Sequence, residues 1–130
     1  MKKRLSAFYR KQMFFPTWVG MLINPFYFAR ANLHAAMKEF APTLHGQLLD
    51  VGCGTKPYQT LFQVKRYAGL DIDSAASRAR KQADYFYDGK LFPLSDTSFD
   101  AVLCNQVLEH VFNPEEFLSE IVRVMKPGGR

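Results

Sequence analysis

At 130 residues, 48% apolar and 22% charged, the chain has the size and composition of a single globular domain, which excludes a disordered segment and leaves no room for two cores. Two cysteines, Cys53 and Cys104, are too few for a disulfide scaffold and lack metal-ligand spacing, so no metal is expected, the thiols read as small buried fillers, and a reducing, cytoplasmic setting follows. The net charge of +5 is unevenly held: residues 1–46 carry seven basic residues against one acid, Glu39, together with nine of the nineteen aromatics.

Met1 to Lys11 is basic with Leu5, Phe8 and Tyr9 interspersed, and reads as a short amphipathic helix or a frayed end. Met13 to Phe28 is strongly apolar, yet Pro16 and Pro25 interrupt it and Asn24 dilutes it. It falls short of the roughly 20 residues a bilayer span requires and lacks the small-residue cleavage site of a signal peptide. Two readings stay open for this arm. It is a lid whose aromatics pack on the domain and cover a substrate, or an interfacial foot in which Lys2, Lys3, Arg4, Arg10 and Lys11 meet anionic lipid at a membrane surface. The lid is preferred. Nucleic acid is disfavoured as a partner, because the arm's aromatics read as buried rather than interleaved for base stacking. Ala31 to Ala41 has Leu33, Ala36, Met37 and Phe40 on one helical face, with Pro42 closing it, while His34 and His45 read as surface histidines.

Residues 47–130 then alternate strands with helices, which predicts an α/β fold with a Rossmann-like, doubly wound parallel sheet and right-handed crossovers. The strand Gln47–Val51 empties into Gly52-Cys53-Gly54-Thr55, a tight turn whose glycines let backbone approach a ligand. A dinucleotide fingerprint needs a third glycine where this chain has Pro57. Next come a brief helix over Tyr58–Val64, a strand Arg66–Ile72, a short polar helix Ser74–Lys81 capped by Asp73 or Ser74, and a strand Ala83–Tyr87. A loop over Lys90–Ser98 leads to a fourth, buried strand, Phe99–Asn105. Asn113-Pro114-Glu115-Glu116 is a helix start, and that helix turns Phe117, Leu118, Ile121, Val124 and Met125 inward before stopping at Pro127-Gly128-Gly129. Ligands bind such sheets at the carboxyl ends of the strands, where Asp50, Gly52, Asp71, Asp88 and Asn105 fall. Asp71 lies where an acid accepts from ribose hydroxyls, although an acid at a strand end is commonly a helix cap. Asp88-Gly89 suits an adenine edge, or is a plain turn.

The ordered phrases Asp50-Val51-Gly52-Cys53-Gly54, Ser98-Phe99-Asp100-Ala101-Val102, Leu108-Glu109-His110 and Glu120-Ile121-Val122-Arg123-Val124-Met125-Lys126-Pro127-Gly128-Gly129 resemble the motifs of class I S-adenosylmethionine-dependent methyltransferases, in particular the type 11 group of small-molecule enzymes. The resemblance covers residues 47–130, as the first four strands of that fold with the C-terminal strands missing, and leaves residues 1–46 unexplained. Truncation there would leave the fourth strand as an exposed apolar edge.

The resemblance implies S-adenosyl-L-methionine as cofactor, with Asp50, Gly52, Gly54 and Thr55 at its methionine end. It further implies Asp71 and Ile72 at the ribose and adenine face, Asp88 and Gly89 at the adenine edge, and Asn105 with Gln106 beside the sulfonium. The family usually has a third glycine where this chain has Lys56. That lysine either reaches the cofactor carboxylate or points to solvent. Methyl transfer from a sulfonium is a one-step displacement in which the protein aligns the partners and excludes water, and a base is needed only where the acceptor must lose a proton. His110 is the one candidate base, with a structural or cofactor-shell role beside it. The expected activity is methyl transfer to a small-molecule, sugar or lipid-linked acceptor. The rival is a catalytically silent cofactor-binding fragment or scaffold.

Overall fold

The computed structural model describes residues 2–130, so Met1, the expected start of the basic helix, lies outside them. It divides into two units, one ending at Thr43 and the other spanning Leu44–Arg130. In the first, α1 (Lys2–Phe14), a single turn α2 (Gly20–Ile23) and α3 (Tyr27–Phe40) are followed by a 3-10 turn at Ala41–Thr43. Pro16 cannot continue α1, and the buried Gln12 fastens the break, its Oε1 accepting from the Thr17 amide at 2.9 Å and hydroxyl at 3.0 Å. Asn24 is buried: its Nδ2 donates to the Gln12 carbonyl and its Oδ1 accepts from the Phe26 amide at 2.9 Å. That side-chain turn lets α3 begin at Tyr27, earlier than the expected Ala31.

Two expectations for this arm fail. His34 is half-buried rather than fully exposed: it meets Phe15 edge-on at 5.0 Å, and burial lowers its pKa, with Lys38 adding to the effect. Nor are the aromatics buried: Trp18, Phe26 and Phe28 are 74%, 62% and 71% exposed. The prolines cut the segment into short helices, and three such pieces have too little interior to cover so many rings. Among the described residues no helix is long and apolar enough to cross a membrane.

The second unit is a four-stranded parallel sheet in the order β3-β2-β1-β4, from β1 (Gln47–Val51), β2 (Arg66–Ile72), β3 (Tyr85–Tyr87) and β4 (Ala101–Cys104). The middle strands bury consecutive residues, and so both of their faces. Leu48, Leu49, Val51, Ala68 and Leu70 are accordingly solvent-free. Between β2 and β3, α4 (Ala75–Arg80) starts at Ser74 through a reciprocal capping box with Ser77. After β4, α5 (Pro114–Val124) starts at Asn113, with Pro114 in its first turn as expected.

Several elements are shorter than their sequence implies. Residues 59–61 form only a 3-10 turn, not a helix over Tyr58–Val64, since Pro57 and so short a segment leave no room for a nucleated helix. β3 begins at Tyr85 because Asp84 caps the ladder: its carboxylate takes the Gly69 amide at 2.7 Å, while its own amide donates to the Gly69 carbonyl. β4 begins at Ala101 because the Ser98 and Phe99 amides donate to the Val124 carbonyl. Leu118 is 46% exposed rather than inward, and Met125 lies past the end of α5, bridged in parallel to Phe99. The outer edge of β4 is not bare over its first residues, for Val102 donates to the Arg130 carbonyl at 2.7 Å and Arg130 to that of Asp100 at 3.2 Å.

Two of the motifs prove to be scaffold. Asp100 accepts from the Gln47 amide (2.7 Å) and from Lys126 (2.8 Å), which ties the start of β1 to the segment after α5. Glu120, buried, accepts from the Phe92 amide, and Arg123 bridges Glu120, Asp96 and the carbonyls of Phe92 and Leu94, pinning the loop ahead of β4.

Candidate functional site

The β1 turn leaves the sheet through a forked bond in which the Gly52 and Cys53 amides donate to the Leu70 carbonyl at 2.8 and 3.1 Å. Gly52 (φ +71°) and Gly54 (φ +51°) are both left-handed, but for different neighbours. A Cβ on Gly52 would lie 2.3 Å from Val107 Cγ2, whereas one on Gly54 would meet nothing within 4 Å and would project into open space. Thr55 beside it is exposed. Beneath the turn, Asp50 is 6% exposed and accepts from the Tyr67 hydroxyl at 2.7 Å. Burial raises its pKa to about 6, against the Tyr67 hydrogen bond and the Lys56 charge.

At the end of β2, Asp71 is 7% exposed, and each of its oxygens is oriented: Oδ1 accepts from the Ile72 amide and Oδ2 from Arg80, both at 2.9 Å. Ile72 is partly exposed, and its Cδ1 would lie 3.4 Å from a Cβ on Gly89 (φ +92°), so the two form one apolar wall. Asp88 spends Oδ1 on its own turn, accepting from the Lys90 and Leu91 amides at 2.9 and 3.2 Å, and the Lys90 and Leu91 N–H groups hold its carboxyl below the usual range. Beyond β4, Asn105 is half-buried and Gln106 is exposed in a left-handed conformation (φ +53°). His110 stands exposed in the 3-10 turn Leu108–His110, its amide donating to the Val107 carbonyl. Cys53 is the expected buried filler, its thiol pushed up to about 12 by burial, but Cys104 is exposed at the strand end where the sheet stops covering it.

The structure thus gathers Asp50, Gly52, Gly54, Asp71, Ile72 and Gly89 at adjacent strand ends, with Asn105 and Gln106 on the neighbouring one. Tyr67, Arg80, Asp84 and Val107 support them without having been legible as site residues. The polar partnerships of the first three join residues 9 to 28 positions apart, so no local pattern marks them. Lys56 does not point to solvent: its Nζ lies 2.6 Å from Asp84 Oδ2, and its side chain is 9% exposed.

A parallel sheet of this order, with a glycine turn on its first strand and an oriented acid ending its second, defines the Rossmann-like, nucleoside-binding class. The residues fit an adenosine carrying an amino-acid tail: Asp71 can accept from a diol, the Ile72–Gly89 wall suits a base, the open side of Gly54 admits the tail, and Asp50 places negative charge near it. Residues 49–130 match the methyltransferase domain family. A Mycolicibacterium smegmatis protein named for S-adenosylmethionine-dependent methyl transfer is 38% identical over 89 residues, 63% of this chain and 35% of that protein. The demethylmenaquinone methyltransferase of Tropheryma whipplei is 36% identical over 106 residues, 74% of this chain and 44% of that protein. A crystal structure from Bacillus halodurans, classed as a methyltransferase, superimposes with a TM-score of 0.60 at 29% identity over 73% of this chain and 47% of that one. The chain belongs to the methyltransferase domain family, with the class I, Rossmann-like fold and S-adenosylmethionine as its cofactor. It spans less than half the length of the relatives named here.

Proposed function

We propose that this chain is the cofactor-binding part of a cytoplasmic S-adenosylmethionine-dependent methyltransferase acting on a small-molecule, sugar or lipid-linked acceptor. The observation that carries this reading is Asp71, buried and oriented at the end of β2 beside the open glycine turn. When bound, the cofactor would supply an electrophilic methyl group on a sulfonium, with the neutral thioether as leaving group for an acceptor's nucleophile. Asp71 holds the ribose hydroxyls, Ile72 and Gly89 flank the adenine with Asp88 at its edge, and Asp50, Gly52, Gly54 and Thr55 hold the methionine end. Asn105 and Gln106 border the sulfonium, and His110 takes the acceptor's proton where one must leave.

Residues 1–46 serve as the lid over the acceptor. A second reading, contact with an anionic membrane surface, is favoured by the exposed Trp18, Phe26 and Phe28, which share their unit with the exposed Arg4, Arg10 and Lys11. Trp18 is the chain's one tryptophan, so its emission reports on both. The test supplies cofactor with a labelled methyl group to a panel of quinol, sugar and lipid-linked acceptors, with and without vesicles of anionic phospholipid. Label is expected in one acceptor class. A Trp18 blue shift on adding acceptor and cofactor supports the lid, and one on adding vesicles alone supports the membrane reading. Cofactor binding without label in any class supports the silent scaffold.

A further inference from the structure

Lys56 sits in the left-handed region (φ +51°), a conformation that a side chain with a Cβ adopts at some cost and that glycine adopts freely. Its stem runs over Gly69 on β2, where a Cβ would lie 2.4 Å from Lys56 Cε and 2.6 Å from Cys53 Sγ. The bare backbone at 69 is therefore what admits the lysine. The ammonium then reaches Asp84 Oδ2, the same oxygen that accepts from the Gly69 amide at 2.7 Å. Burial raises the Asp84 carboxyl, and the Gly69 N–H and Lys56 outweigh it, leaving it below its usual range. One carboxylate thus joins the turn after β1, the middle of β2 and the entry to β3.

We infer that Lys56 and Asp84 form a clasp that positions the cofactor loop, Lys56 acting as a positioning residue whose charge is committed to Asp84 and not to the cofactor's carboxylate. The inference rests on reading this turn as the S-adenosylmethionine site. The clasp adds an ion pair, across a glycine on the next strand, to the backbone bonds that Gly52, Cys53 and Lys56 already make in the loop. The lysine side chain is 9% exposed and Asp84 46% exposed, so the pair is open to solvent on the carboxylate side only. Its consequence is remote control: Asp84, outside the ligand-contacting set, governs how well the loop receives the methionine end.

The test compares the full chain with Lys56→Met, which keeps a stem over Gly69, Asp84→Asn, whose carbonyl oxygen still accepts from the Gly69 amide, and the double variant. Amide hydrogen exchange over residues 52–56 is followed without ligand, and affinity is measured for S-adenosylhomocysteine and for 5′-methylthioadenosine, which lacks the amino-acid tail. Each single change is expected to speed loop exchange and to weaken S-adenosylhomocysteine about tenfold, leaving 5′-methylthioadenosine within about twofold, and the double variant is no weaker than either single one. Unchanged exchange, additive losses, or equal losses for both ligands would overturn the clasp. So would a loss in Lys56→Met that Asp84→Asn does not share, since that places the lysine's charge on the cofactor. If a variant fails to fold, Lys56→Gly restores easy left-handed geometry without the tether, and the clasp requires faster exchange there too. A parent chain that shows the exchange pattern but binds neither ligand sinks the cofactor reading and spares the clasp.

Discussion

Asp71→Ala is expected to weaken S-adenosylhomocysteine binding by on the order of a hundredfold or more. A ribose diol donates two hydrogen bonds to a carboxylate that β2 has already placed and that the Ile72 amide and Arg80 have already oriented, so little ordering remains to be done on binding. Bonds to a charged acceptor contribute about 1.5–3 kcal/mol each, and a tenfold change in affinity is about 1.4 kcal/mol. Two of them therefore account for at least two decades. The parent fold is expected to survive, because Asp71 lies at the strand end and Arg80, 38% exposed, regains water when its partner is removed. Calorimetric titration of parent and variant, with thermal unfolding as the control, measures both. A loss of less than about fivefold in a folded variant would place the ribose elsewhere.

Gly52→Ala is the second large effect, and it combines binding with stability. The residue holds φ +71°, which an alanine occupies at a cost of roughly 1–3 kcal/mol, and the new Cβ must displace Val107, whose Cγ2 would be 2.3 Å away. Moving Val107 disturbs the Asn105–Gln106 turn with it. We expect destabilisation of roughly 2–5 kcal/mol in urea unfolding, together with loss of detectable cofactor binding. Gly54→Ala is the informative contrast. Its Cβ meets nothing in the protein, so only the backbone cost of roughly 1–2 kcal/mol falls on stability, while the methyl group enters the space assigned to the cofactor's tail. Equal loss of stability at the two positions would contradict this division between a packing glycine and a ligand glycine.

The sheet was legible because its strands are read by composition: Gln47–Val51 and Arg66–Ile72 are short apolar runs ended by turn residues, and their observed limits coincide with the expected ones. Helix starts were legible for the same local reason, since Ser74 and Asn113 cap within three residues of themselves. What escaped depends on distant partners. Asp84 shortens β3 by competing for the Gly69 amide, and Val124 shortens β4 by competing for those of Ser98 and Phe99, exchanges that no window of neighbouring residues contains. The family phrases pointed to the right fold for a partly different reason than their names imply. Asp100, Glu120, Arg123 and Lys126 tie strand starts and loops together rather than lining the strand ends. Lys56 shows the limit most plainly: its ammonium crosses a strand to Asp84, a residue 28 positions away.

The central claim is that S-adenosylmethionine binds at the carboxyl ends of β1 to β4, its methionine end against the Asp50 turn. Asp50 makes this testable by pH. Burial pushes its carboxyl up to about 6, above the usual carboxylate range, so through that window the folded chain holds a proton that the unfolded chain has released. Stability contributed by this group therefore falls as pH rises through that window. Affinity runs the other way, because the cofactor's ammonium favours the ionised carboxylate. The measurement is a calorimetric titration of the parent chain with S-adenosylhomocysteine at pH 7 and pH 5. The account predicts one-to-one binding at pH 7 that weakens about tenfold at pH 5, a difference that Asp50→Asn abolishes. No binding by the folded chain, or binding indifferent to pH in the parent, would contradict it.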